Sequence, residues 1–172
     1  VRDVALPTDQ ATASYETIWE DLVAMGYDHP QVKYWIYYDD RGACPCGGIG
    51  WMFHDDRPDP TNLHNGYQAL HAITFGYDSV RIMLHELGHT MGAVQNSAPH
   101  STGGLHCTDG RDIMCYNDGG PHGGAYTTSA CATMVFDCGK DDYFHARPAP
   151  GSYLSTHWNL GHAWNRFLVI QP

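Results

Sequence analysis

Apolar positions in residues 11–25 recur with a helical period. Tyr15, Ile18, Trp19, Leu22, Val23 and Met25 fall at i, i+3, i+4, i+7 and i+8 spacings, and Gly26 is a natural stop. The spacing predicts a helix with one buried face. Residues 33–38 are rich in aromatics and predict a buried strand. Residues 41–48 form a turn region and 49–54 predict a second strand. Residues 55–66 are a polar loop with two prolines, and 67–75 fit helix or strand equally. Asp78 or Ser79 is placed to cap a helix that runs from Val80 to about Met91.

Beyond Gly92 the periodicity fades. Residues 93–152 are dominated by Gly, Ser, Thr, Asp, Asn and Pro. A loop-rich stretch of that length in a compact domain needs covalent staples, and four of the six Cys lie within it. From 153 to 170 the chain turns apolar again. Leu154, Trp158, Leu160, Trp164, Phe167 and Leu168 predict a closing helix. No internal repeat and no low-complexity tract interrupts this order.

A chain of 172 residues fits one domain, divided at about residue 92 into an upper lobe (1–92) and a lower lobe (93–172). It is 42% hydrophobic and carries five Trp and eleven Tyr, enough to build a core. The formal net charge of −10 argues against nucleic acid or an anionic membrane as partner, because both require a basic patch. A monomer is expected. The pairs Asp39-Asp40, Asp55-Asp56 and Asp141-Asp142 are the residue type calcium uses, though acidic loops carry such pairs without an ion. The even number of Cys suits disulfides and an oxidising compartment. No apolar run is long enough to span a membrane. The chain begins at Val1 with no signal peptide, so the expectation is a secreted, processed product.

The chemistry concentrates in His85-Glu86-Leu87-Gly88-His89, which reads H-E-x-x-H. On a helix the two His lie four residues apart on one face, within reach of one zinc ion. Glu86 is rotated about 100° from His85, where it approaches a water on that ion without binding the ion itself. A catalytic zinc takes three protein ligands and keeps one position open. No Glu follows Glu86, so a Glu on a later helix is not the third ligand, and no G-T-x-x-D-x-x-Y-G string supplies an Asp.

Thr90-Met91-Gly92 extends the motif to H-E-x-x-H-x-x-G. Gly92 lets the chain leave the helix sharply and brings a third ligand up from below. Further on, Asp112-Ile113-Met114-Cys115-Tyr116 resembles the Met-turn of the metzincin zinc peptidases, in the form where Tyr follows Met by two. The two motifs span about a fifth of the chain. The resemblance implies an α/β (α+β) two-lobed architecture. A twisted mixed sheet with a backing helix and the active-site helix lies above the cleft, and a loop-rich lower lobe ends in a C-terminal helix. An extended peptide would add to the sheet edge. It implies Met114 beneath the ligand imidazoles and Tyr116 as a zinc ligand or transition-state stabiliser.

The sequence departs from that family at the third ligand, where Gln95 stands at the usual His position. Gln95, His100, His106 and Asp109 are all candidates. His106 is favoured because it precedes Met114 by eight residues, as in compact metzincins, and because Cys107 follows it. Residues 93–105 then form an insertion, and Gln95 becomes a supporting or substrate-contacting group. A Cys107–Cys115 bridge would tie His106 to Tyr116 and Cys131–Cys138 would close a similar loop. Cys44 and Cys46 would be left over, since their C-x-C spacing makes only a strained ring.

The expected activity is that of a secreted zinc endopeptidase on protein or peptide substrates. Glu86 is the general base, and Tyr116 with the zinc stabilises the oxyanion. By resemblance, residues 117–130 shape the pocket for the side chain after the cut bond. A binding module that keeps the fold without the activity, or a zinc amidase on a non-protein substrate, are the other readings. His29, His54, His64, His71, His122, His145, His157 and His162 are expected at the surface or as satisfied core residues.

Overall fold

A computed structural model describes residues 1–128 and 130–168, without the side chain of Tyr67. It is a mixed α and β molecule with a small sheet, two principal helices and long irregular segments. Helix α1 spans Tyr15–Ala24, shorter than the expected 11–25. Ser14 takes an extended backbone and caps the helix, and Thr17 closes a capping box, so the turn Gln10–Thr12 stands apart as a separate 3₁₀ element. Tyr15, Ile18 and Leu22 form its buried stripe, while Met25 lies at the C-cap and is exposed. Gly26 ends the helix with φ +83°.

Three strands make one sheet, β1 (Tyr34–Tyr38), β2 (Gly48–Gly50) and β3 (His71–Phe75), in the order β1-β3-β2. β1 runs parallel to β3 and β2 antiparallel to it. β3 is buried throughout, which resolves the ambiguous stretch into a 3₁₀ turn at Tyr67–Ala69 and a central strand. β1 is not the buried strand expected at 33–38. It is an edge strand whose Trp35 and Tyr37 face outward. β2 is half the length expected at 49–54. Past Gly50 the backbone bonds elsewhere, with the Phe53 N–H donating to the His64 ring at 3.1 Å.

Helix α2 spans Val80–Met91 and packs on β2 and β3. Ser79, not Asp78, caps it. Gly92 turns left-handed at φ +99°, and the Ala93 N–H reaches back to the Gly88 carbonyl, so the helix closes in a Schellman-type turn. From here to 152 the described chain is turns, isolated bridges and one 3₁₀ turn at Gly123–Ala125. Cys107–Cys115 and Cys131–Cys138 are bridged, and so is Cys44–Cys46, which the spacing argument left unpaired.

The closing helix expected over 153–170 is reduced to α3, Tyr153–Thr156, and residues 169–170 lie outside the described residues. Side chains take the bonds a helix would need. The Trp158 indole N–H donates to the Met91 carbonyl, and Asn159 accepts from the His145 and Gly161 N–H groups. The apolar positions still find a core, since Leu154, Trp158 and Leu160 are buried. One cluster gathers Trp158 and Leu160 with Met91, Val94, Met114 and the Cys107–Cys115 bridge. A second joins α1 to the sheet through Ile18, Leu22, Ile73 and Phe75.

Candidate metal centre

His85 and His89 lie one turn apart on α2 with their rings edge to face, centroids 4.6 Å apart. His106 reaches them from a hairpin-like turn in which Thr102 donates its N–H to the His106 carbonyl and Ser101 bridges Cys107. Gly103 and Leu105 take positive φ to close that turn. The His89 Nε2 lies 3.1 Å from Nε2 of His85 and 3.1 Å from Nε2 of His106. Two nitrogens on one tetrahedral zinc, each at about 2.0–2.1 Å, are separated by about 3.3 Å. The observed spacing therefore suits donors that share one ion.

The far ring nitrogens decide which form each imidazole takes. His85 Nδ1 lies 2.8 Å from the Ile113 carbonyl, and His106 Nδ1 lies 2.7 Å from the Asp118 carboxylate. Both acceptors require a proton on Nδ1, which leaves the Nε2 lone pair facing the cluster. His89 can donate its Nε2 proton to one of these lone pairs and not to both. A cation resolves that conflict, so the residues present fit a metal ion.

The electrostatics favour the same neutral form. Burial pushes His85 down to about 4, and His106 adds to the effect. Burial also holds His89 well below the ordinary range, reinforced by His85 and His106. For His106 burial again dominates, partly offset by Asp118. Burial alone would raise Asp118. Hydrogen bonds from the Gly120 N–H, the Thr102 hydroxyl and His106 outweigh it, so the carboxyl stays below its usual range and charged.

Glu86 is buried against β2, and desolvation pushes its carboxyl up to about 8 despite a hydrogen bond from Gly50. A divalent cation beside it would pull that value back down. Gly50 is required at this contact, because a Cβ there would run into the Glu86 carbonyl. Tyr116 packs its ring 4.3 Å from that of His106 and is partly exposed. Met114 lies fully buried, so close to Gly88 that a Cβ there would come 2.5 Å from the thioether sulfur. Asp112 holds this loop by accepting from the Met114 N–H, the Cys138 N–H and the Tyr143 hydroxyl. Burial raises the Asp112 carboxyl to about 6, against those bonds.

Among the described residues, of the His and Asp candidates for a third donor His106 alone joins His85 and His89. The Gln95 amide is turned onto the Phe53 and Gly92 carbonyls. His100 and Asp109 lie together elsewhere, beside Asp141 and Asp142. Asp118 and Gly50 escaped the sequence reading. Asp118 stands twelve residues beyond His106 in an Asn-Asp-Gly-Gly turn, and a local pattern reads it as turn chemistry. Comparison with family models, with curated proteins and with solved structures gives no match.

Proposed function

We propose that this chain is a zinc-dependent endopeptidase of metzincin type, working in an oxidising, extracellular setting. The observation that carries the reading is the convergence of the His85, His89 and His106 Nε2 atoms beside a buried carboxylate. Three neutral imidazoles are a donor set that suits zinc, and His85, His89 and His106 would hold it. When bound, zinc acidifies water and polarises a carbonyl. Glu86 is the proton carrier. It takes the proton from the attacking water and passes it to the leaving amine. Its contact with β2 puts the carboxylate beside a sheet edge that an extended peptide could join. Tyr116, exposed beside His106, donates a hydrogen bond from its hydroxyl to the carbonyl oxygen as negative charge grows there. Three disulfides and the absence, among the described residues, of any helix long and apolar enough to cross a membrane accord with that setting.

Cleavage of a quenched-fluorescent peptide library by the purified protein, with metal content measured in parallel, tests this. Glu86→Gln should retain zinc and lose at least about 100-fold in cleavage rate. Full activity in that variant, or wild-type protein free of zinc after zinc loading, overturns the proposal.

A further inference from the structure

A second group of metal-ligand side chains lies outside the His85–His89–His106 cluster. His100, Asp141 and Asp142 bring one donor atom each to within 4.8 Å of one another. His100 Nδ1 lies 3.4 Å from Asp142 Oδ1, 3.7 Å from Asp141 Oδ1 and 3.8 Å from Asp109 Oδ2. All three separations are longer than a charge-assisted hydrogen bond; the shortest falls within the spacing of donors on one ion and the other two lie slightly beyond it. A protonated imidazole among carboxylates draws one of them to about 2.7–2.9 Å. Donors that share a tetrahedral ion at about 2.0–2.2 Å stay about 3.3–3.6 Å apart.

The hydrogen bonding of two atoms in this group carries the point further. His100 Nδ1 and Asp141 Oδ1 are both shut off from solvent and both lack any hydrogen-bond partner. A buried polar atom without a partner costs about 1–3 kcal/mol, so two that face each other at 3.7 Å call for something between them. Asp142 is buried and cannot swing away, because its Oδ1 accepts the His100 backbone N–H at 2.8 Å. The loop that presents the two Asp is itself fixed, with the Asp137 carboxylate accepting the N–H groups of Asp141, Asp142, Tyr143 and Phe144.

We propose that His100, Asp141 and Asp142, with Asp109 facing the same point, form a second, structural cation site for a zinc-class divalent ion. The mixed imidazole and carboxylate donors select a first-row transition ion over calcium, which takes oxygen ligands. The ion would clamp the 137–144 loop to the strand-like pair His100 and Thr108, in which the Thr108 N–H donates to the His100 carbonyl. That pair is the base of the turn that carries His106.

Metal-stripped protein dialysed against zinc, and separately against calcium, then freed of loose ion by gel filtration, gives the stoichiometry. Wild type should retain about two zinc ions per chain, and His100→Ala and Asp141→Asn about one. Both positions are partly exposed, so neither change empties a core. His85→Ala should lose the other ion and keep this one, which separates this proposal from the peptidase reading. Retention of a single zinc that survives His100→Ala and Asp141→Asn overturns the site, and His100 is then an imidazolium among carboxylates. Retention of calcium in place of zinc at these residues overturns the donor assignment.

Discussion

Each imidazole of the central cluster is held by a different kind of partner. His85 leans on a backbone carbonyl and His89 on the Met52 sulfur at 3.4 Å, whereas His106 leans on a carboxylate. Only the last can be both strong and removed by substitution. Asp118→Ala should weaken zinc binding by about 10–100-fold with the fold kept, read by competition with a chromophoric chelator. Asp118→Asn, which can still accept from Nδ1, should recover part of that loss. Unchanged affinity in Asp118→Ala would mean that the 101–107 turn alone orients the ring. His64 is a separate titration. It is buried, and burial followed by the Lys33 charge pushes it down to about 3. The unfolded chain takes up this proton near 6.5 and the folded chain only near 3, so in that window the unfolded state holds more protons. The stability is fully present above about pH 6.5 and falls as pH drops, by about 1.4 kcal/mol per pH unit. His64→Gln can keep the bonds to Phe53 N and Asn62 Oδ1 without titrating. Its denaturation midpoint should therefore lose less than wild type between pH 6 and 4, and identical pH profiles would contradict the assignment.

At the scale of elements, the parts legible in the sequence are those whose signals are local. Helix α2 begins at Ser79 and ends at Gly92 because a cap and a left-handed glycine terminate it, and H-E-x-x-H needs only helical spacing to bring His85 and His89 together. The closing helix expected over 153–170 shrank to α3 because apolar spacing near 3.6 says only that residues are buried. Trp158 and Leu160 reach the core from irregular backbone whose N–H groups donate to the Asp56 and Tyr143 carbonyls. β2 stops at Gly50 because the chain then turns toward His64, a contact no local pattern encodes. The third imidazole stayed one of four candidates for the same reason. His106 and His100 stand in similar Ser, Thr and Gly-rich sequence, and only the fold sends one to α2 and the other to Asp142. Gly92 offers a quantitative test. A Cβ there would meet Trp158 Nε1 at 2.7 Å and His64 Nδ1 at 2.9 Å, on a backbone at φ +99°. Gly92→Ala should cost at least about 2 kcal/mol and lower Tm by roughly 4–8 °C. Gly26 has φ +83° with nothing within 4 Å, so Gly26→Ala carries the backbone strain alone, about 1 kcal/mol. Equal losses at the two positions would show that the packing around Gly92 adds nothing.

Over the whole molecule, order is supplied in two ways. Residues 15–91 hold the two longest helices and all three strands, and backbone ladders satisfy much of their polar inventory. The described residues of 93–152 have no such ladders. They rely on two disulfides, on buried carboxylates that accept several N–H groups each, and on the cluster around Met114 and Trp158. Bridges that close loops of eight and seven residues contribute about 2–3 kcal/mol each by restricting the unfolded chain. Their loss should open this stretch before the helices and strands, because local unfolding follows the weakest set of contacts. Trypsin reports the order, since Arg111 and Lys140 lie in the stretch and Arg41 and Arg81 in the other part, none of them followed by Pro. In a Glu86→Gln background, which removes self-digestion, dithiothreitol with a zinc chelator should bring the first cuts after Arg111 and Lys140. Cuts after Arg41 and Arg81 should come later, as mass spectrometry of timed samples would show. Oxidised, zinc-loaded protein should resist at all of these sites under the same protease load. If both sets of cuts instead emerge together, the disulfides and the metal stabilise one cooperative unit, and the buried cluster that α2 shares with Met114 and Trp158 is what joins it.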